Sequence, residues 1–182
     1  MKRLTLFMAL AMSVCAMSAN AAFVDYTDRA DYLNQVAAES MSLTMIDFTG
    51  LAAGTTLTNQ YAGLDVMFDG SDTIVNNTAF VEDGWGVYDI GTIELMFIAP
   101  MTHVGADFPG TLAIDLYQGT TLVASSADFG STGTGFFGGR LTDDSFFDRV
   151  ILSDWNGPVA SIDTLYFGGV VGSVVPEPAS LS

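Results

Sequence analysis

The sequence predicts a mostly β protein: an antiparallel β-sandwich of jelly-roll-like form with one short helix near its start. Two observations carry that prediction. From residue 44 onward apolar residues recur with period two, the mark of strands that turn one face to a core. Between these runs stand clusters of Gly, Asn and Asp: FDGSD (68–72), VEDGWG (81–86), YQGTT (117–121) and SDWNGP (153–158). Such clusters supply turn chemistry, and about ten strands at 8–12 residue spacing point to a sandwich.

The chain opens on MKRLTLFMALAMSVCAMSANAA, with Lys2 and Arg3 ahead of an apolar run from Leu4 to Ala16 and then Ala19-Asn20-Ala21. A charged start, a short apolar run and a small-x-small ending describe a secretory signal peptide, cut after Ala21. The run falls short of the ~20 residues that span a bilayer. Its Cys15 is the single cysteine, so the expected mature chain of 161 residues can form no disulfide and offers no thiol nucleophile. Arg29, Arg140 and Arg149 remain against 21 acids, a formal charge of −18. Nucleic acid and anionic lipid surfaces repel such a chain.

The mature part then begins with DRADYLNQVAA after Thr27. Thr27 as cap, Asp28 at the positive end of the dipole, and Leu33, Val36 and Ala37 on one side predict a short helix. Strands are expected at 44–48, 64–68, 73–82, 85–90 and 93–98. In 103–108 Val104, Ala106 and Phe108 share a face, and in 112–118 Leu112, Ile114 and Leu116 oppose Ala113, Asp115 and Tyr117. Further strands are expected at 121–128, 135–140, 147–153 and 162–167. The pair Phe136 and Phe137 points to packing on two faces. The organisation that follows is a leader at 1–21, a sandwich domain at 22–168, and a linker with the start of a tail at 169–182.

Catalytic signals are sparse. His103 is the only histidine, so neither a two-His metal site nor a Ser-His-Asp set can be assembled. At a strand entrance it reads as structural. A pair of carboxylates could in principle serve a glycan hydrolase. The acidic stretches DGSDTIVNNT (69–78) and DDSFFDR (143–149) cluster oxygen ligands but lack the spacing of a calcium-binding loop, and they read as turns. Trp85 and Trp155 stand in turns beside hydrogen-bonding side chains; Asp154 and Asn156 flank the second. A flat ring with such neighbours is what a sugar site requires. The competing reading makes both rings core or loop packing.

Two resemblances extend this reading. TMIDFTGL (44–51) and SIDTLYFG (161–168) resemble the opening and closing strands of galactose-binding-like, jelly-roll carbohydrate-binding modules. That resemblance implies a buried structural Ca²⁺ between Asp47 and Asp163, although Thr49 stands where such modules often carry a glutamate. VVPEPASLS (174–182) resembles the start of the PEP-CTERM sorting signal of exported proteins in Gram-negative bacteria, with Pro176, Glu177 and Pro178 as its motif. IDFTGLAAGTTLTNQYAGLDVMF (46–68) and TGFFGG (134–139) are similar to the β-sandwich ectodomains that precede such tails. The resemblance implies processing by the membrane protease exosortase, a place in the envelope, cell surface or extracellular matrix, and association with extracellular polysaccharide and biofilm. The membrane helix and basic cluster that complete such tails do not follow Ser182 here, and membrane attachment would need them. The expectation is a non-catalytic exported protein that holds extracellular polysaccharide. The alternatives are a glycan hydrolase using paired carboxylates, and a surface protein that self-associates through sheet edges and apolar faces.

Overall fold

The computed structural model describes residues 22–77, 80, 84–126, 129–142, 145–154 and 157–169. The expected leader with Ala19 and Ala21, the Pro176-Glu177-Pro178 motif, and the pair Trp155 and Asn156 lie outside the described residues. In chain order the elements are β1 (Phe23–Tyr26), α1 (Arg29–Ala38), β2 (Leu43–Ile46), β3 (Val66–Phe68), β4 (Thr73–Asn76), β5 (Trp85–Ile90), β6 (Thr92–Met101) and β7 (His103–Gln118). They continue with β8 (Thr121–Ser125), β9 (Phe129–Leu141), β10 (Phe147–Ser153), β11 (Val159–Ile162) and β12 (Thr164–Gly168).

The fold is the mostly β, antiparallel sandwich that the sequence predicts, and β7 is its spine. The first half of β7 lies between β9 and β12, with Val104 opposite Gly139 on one side and Phe167 on the other. Its second half lies between β10 and β8, with Leu116 opposite Val150 and Ala124. β1 extends the first group beyond β9 and β2 extends it beyond β12, while β6 and β3 extend the second beyond β10. The sequence reading splits this strand in two at Pro109-Gly110. One strand survives there because the register shifts between Pro109 and Thr111, and Gly110 takes the positive φ of 96° that the irregularity requires.

A separate three-stranded sheet, in the order β11-β5-β4, shares the same core. Alternation within each strand sends Val104, Ala106, Phe108, Ile114, Leu116, Val150, Leu152 and Leu165 inward, where they meet Ile74, Val87 and Ile162 of the small sheet. Burial of this apolar surface is the main source of stability. Strand ends move relative to expectation: β4 stops at Asn76 rather than 82, and β9 begins six residues early at Phe129. A short 3-10 turn at Ala62–Leu64 takes up the start of the strand expected at 64. The strand β11, ending one residue before β12, is separate from it.

The helix forms where expected, with a different cap and a different face. Asp28, not Thr27, is the N-cap, and its carboxylate accepts from the Asp31 amide at 3.0 Å. A charged acceptor at the positive end of the helix dipole outcompetes a hydroxyl one position earlier. Tyr32 and Val36 are the buried residues, while Leu33 is 40% exposed. They sit on the outer side of β7, β9 and β12 in a second small core with Phe136 and Tyr166. Phe136 and Phe137 do face opposite ways, Phe137 into the main core and Phe136 toward the helix. Gly105 and Gly138, paired across β7 and β9, leave the flat spot on which Phe136 lies: a Cβ on either would come within 2.9 Å of its ring.

Candidate functional site

The outer face of the three-stranded sheet carries a recess of about 310 Å³. Its floor follows from strand alternation. Val87 and Ile74 point into the core, so Tyr88 on β5 and its cross-strand partners Thr73 and Ser161 point outward. Tyr88 is 37% exposed, with Val75 and Val159 beside it. One wall is made by the chain leaving β4. Asn77 takes a hydrogen bond from the Phe80 amide to its carbonyl at 3.1 Å, a turn that carries Phe80 back over the sheet. There the ring lies on Gly86, where a Cβ would meet it at 2.4 Å. Only glycine lets the aromatic ring approach the strand so closely. Pro109, at the bend of β7, completes the opposite wall. The result is an open apolar trough with one half-exposed aromatic ring, an amide and a hydroxyl. Among the described residues no carboxylate or cation lines it.

The tryptophans and their neighbours fall as follows. Trp85 starts β5 and is half-buried against the main core, on the sheet face opposite Tyr88. Asp154 follows β10 and accepts a hydrogen bond from the Thr111 hydroxyl, which ties the end of β10 to β7 two residues past Pro109. The sequence reading missed Tyr88, Phe80, Asn77 and Ser161. Alternation in GVYDI (86–90) already places Tyr88 outward, but the wall it faces comes from a loop return that no local pattern shows.

The acids expected at a calcium ion occupy different surroundings. Asp47 is exposed and caps its own turn, its Oδ1 accepting from the Thr49 amide at 3.1 Å and the Thr49 hydroxyl at 2.9 Å. Thr49 is thus a partner of Asp47 rather than a substitute for a second acid. Asp163 is buried between β11 and β12, and its amide donates to the Asp107 carbonyl at 2.7 Å. Among the described residues no group of three or more His, Cys, Asp or Glu is placed to hold a metal.

The histidine and the three arginines have structural partners. His103 is 2% exposed; its Nε2 lies 3.1 Å from Glu39 at the end of α1 and its Nδ1 lies 2.8 Å from the Thr102 hydroxyl. Burial holds its pKa below the ordinary histidine value, helped by Arg140 and opposed by Glu39. Arg140 reaches Glu39 at 3.1 Å, Arg29 reaches Asp107 at 3.0 Å, and Arg149 donates to Glu94 at 2.6 Å while lying over the Tyr117 ring. Tyr166 donates its hydroxyl to the other oxygen of Asp107 at 3.0 Å. All three cations of the described chain are therefore matched by acids away from the trough.

No protein-family model and no curated protein matches the chain. Among solved structures it is similar to the carbohydrate-binding module TmCBM61 in complex with β-1,4-galactotriose, at 13% identity and a TM-score of 0.25, over 59% of this chain and 78% of that one. A likeness of that degree leaves the functional reading to rest on the geometry above. No helix among the described residues is long and apolar enough to cross a membrane.

Proposed function

We propose that the protein is an exported, non-catalytic β-sandwich that holds an uncharged polysaccharide in the trough beside Tyr88. One observation carries the reading: a half-exposed tyrosine ring lies in an open apolar recess, with Asn77 and Ser161 at hand for hydroxyl groups. Sugar rings present apolar C–H faces and a rim of hydroxyls, and a flat aromatic with a few polar neighbours matches both. Charge narrows the ligand class. A chain of formal charge −18, whose arginines already serve Asp107, Glu39 and Glu94, offers a uronate or sulfated glycan no cation to bind. Trp155 and Asn156, which follow Asp154 in the sequence, remain part of the proposal on sequence grounds.

The site of action belongs to the same proposal. The leader ending at Ala21 supports export, and the Pro176-Glu177-Pro178 motif supports sorting by exosortase to the envelope, cell surface or matrix of a Gram-negative bacterium. N-terminal sequencing of the exported protein is expected to begin at Ala22; an intact Met1 in that fraction refutes export by signal cleavage.

Affinity electrophoresis in gels containing a neutral galactan or dextran, beside gels containing a polyuronate, tests the binding. The neutral gel should retard the wild type, and Tyr88→Ala should run freely with an unchanged melting temperature. Free migration of the wild type in every gel overturns the reading. Release of reducing ends from the glycan would put the paired-carboxylate hydrolase in its place.

A further inference from the structure

The connection from β3 to β4, Asp69-Gly70-Ser71-Asp72, places a carboxylate in an unusual setting. The Asp72 side chain is fully buried, and neither of its oxygens has a hydrogen-bond partner. The charged groups that act on it are all acids: Asp69, Asp89 and Glu94. Of these, Asp69 weighs most on it after burial. The register of β4 and β5 sets Asp72 opposite Asp89, one step beyond the pair Thr73 and Tyr88. Arg149, the partner of Glu94, is committed to that acid and to the Tyr117 ring. A buried carboxylate is costly to keep unless a donor or a positive charge answers it, and none of the described side chains does so.

We propose that Asp72 and Asp69 bind a divalent cation, Ca²⁺, with Asp89 adding negative potential from the neighbouring strand. The donors are oxygens only, which selects a hard cation over zinc or copper. Calcium accepts an irregular shell of oxygens, whereas magnesium demands a near-ideal octahedron. Two carboxylates anchor the ion, and water and main-chain oxygens fill the remaining positions of its shell. Asp69 is exposed and supplies the way in; one of its oxygens is held by the Ser71 amide at 2.8 Å and hydroxyl at 2.6 Å, which leaves the other for the ion. The role is bracing. The Asp72 carbonyl accepts from Leu57 at 2.8 Å, so an ion there would fix the 54–58 segment, the start of β4 and the small sheet together. In the absence of an ion, burial and then Asp69 raise Asp72 to a pKa of about 8, so protons compete with the cation at neutral pH and below.

Calorimetric titration of the chelator-stripped full chain with CaCl₂, and with MgCl₂ for comparison, tests the site. Calcium should bind at one site per chain and raise the melting temperature, with magnesium at least tenfold weaker. Asp72→Asn should abolish the calcium response, and Asp69→Asn should weaken it at least tenfold. Asp69 is exposed, so that variant reports on binding even where Asp72→Asn lowers the yield of folded protein. Asp47→Asn should leave the response intact. The proposal is overturned by a wild type with neither heat nor thermal shift, by a calcium response that survives both the Asp72 and Asp69 substitutions, or by a response that Asp47→Asn removes.

Discussion

His103 makes a measurable prediction about pH. The ring is 2% exposed and is wedged between Glu39 and Thr102, and burial holds its pKa below the ordinary value of 6.5. The sign follows from proton counting. As pH falls through 6.5 the unfolded chain takes up a proton that the native ring refuses, so the unfolded state gains and stability declines. At pH 7.5 the effect is negligible. At pH 5.5, one unit below the unfolded pKa, it reaches at most about 1.4 kcal/mol, the value of one pKa unit. Glu39 opposes burial and trims that figure. His103→Gln keeps a side chain able to donate to Glu39 and cannot titrate. Urea unfolding of both proteins at pH 7.5, 6.5 and 5.5, in chelator, gives the difference directly. Asp72, raised to about 8, shifts both proteins the other way in this window, since the native state holds its proton and the unfolded state does not; that contribution cancels in the difference. The wild type should lose up to about 1.4 kcal/mol relative to the variant between pH 7.5 and 5.5. Parallel pH profiles, or a wild type that gains on the variant in acid, refute the assignment of a buried neutral histidine.

Three further outcomes are expected. Asp28→Ala should cost about 1 kcal/mol by removing the carboxylate that caps α1, read as a shift in the urea midpoint, whereas Thr27→Ala should cost little. Gly86→Ala should cost roughly 1–3 kcal/mol and weaken glycan retention at the same time, because its methyl group would meet the Ile162 carbonyl at 2.5 Å and push Phe80 out of the trough wall. Leu152→Ala, at a fully buried position of β10, should cost about 2–5 kcal/mol in thermal unfolding and leave binding per folded molecule unchanged.

The legible part of the fold is the part that alternation controls. Leu112, Ile114 and Leu116 announce their face locally, and the structure buries all three. Phe23–Tyr26 escapes notice because four residues between a leader and a helix carry too short a pattern, and their place is fixed by pairing with Arg140 and Gly139, more than a hundred positions away. Pro109-Gly110 reads as a strand break because a proline lacks the ladder donor; the bulge that absorbs it is invisible until β9 is in place. The trough was half legible. Tyr88 faces outward by parity alone, but its wall needs Phe80 on Gly86 and Pro109 from another strand. Asp72 was misleading in a different way. FDGSD has the composition of an ordinary solvated turn, and only the tertiary structure shows one of its two acids sealed inside.

β7 has a mechanical consequence for a protein tethered to a polymer. A polymer held in the trough, as proposed above, would pull beside Pro109, at the bend where this strand passes from one set of partners to the other. Tension applied there runs along covalent backbone in both directions, toward Val104 between β9 and β12 and toward Leu116 between β10 and β8. Each half is flanked on both sides, so load on β7 is taken up as shear across many hydrogen bonds at once rather than by opening an edge one bond at a time. The bend sets the compliance of the grip: stiffening the Pro109-Gly110-Thr111 segment would make the two halves yield as a single body.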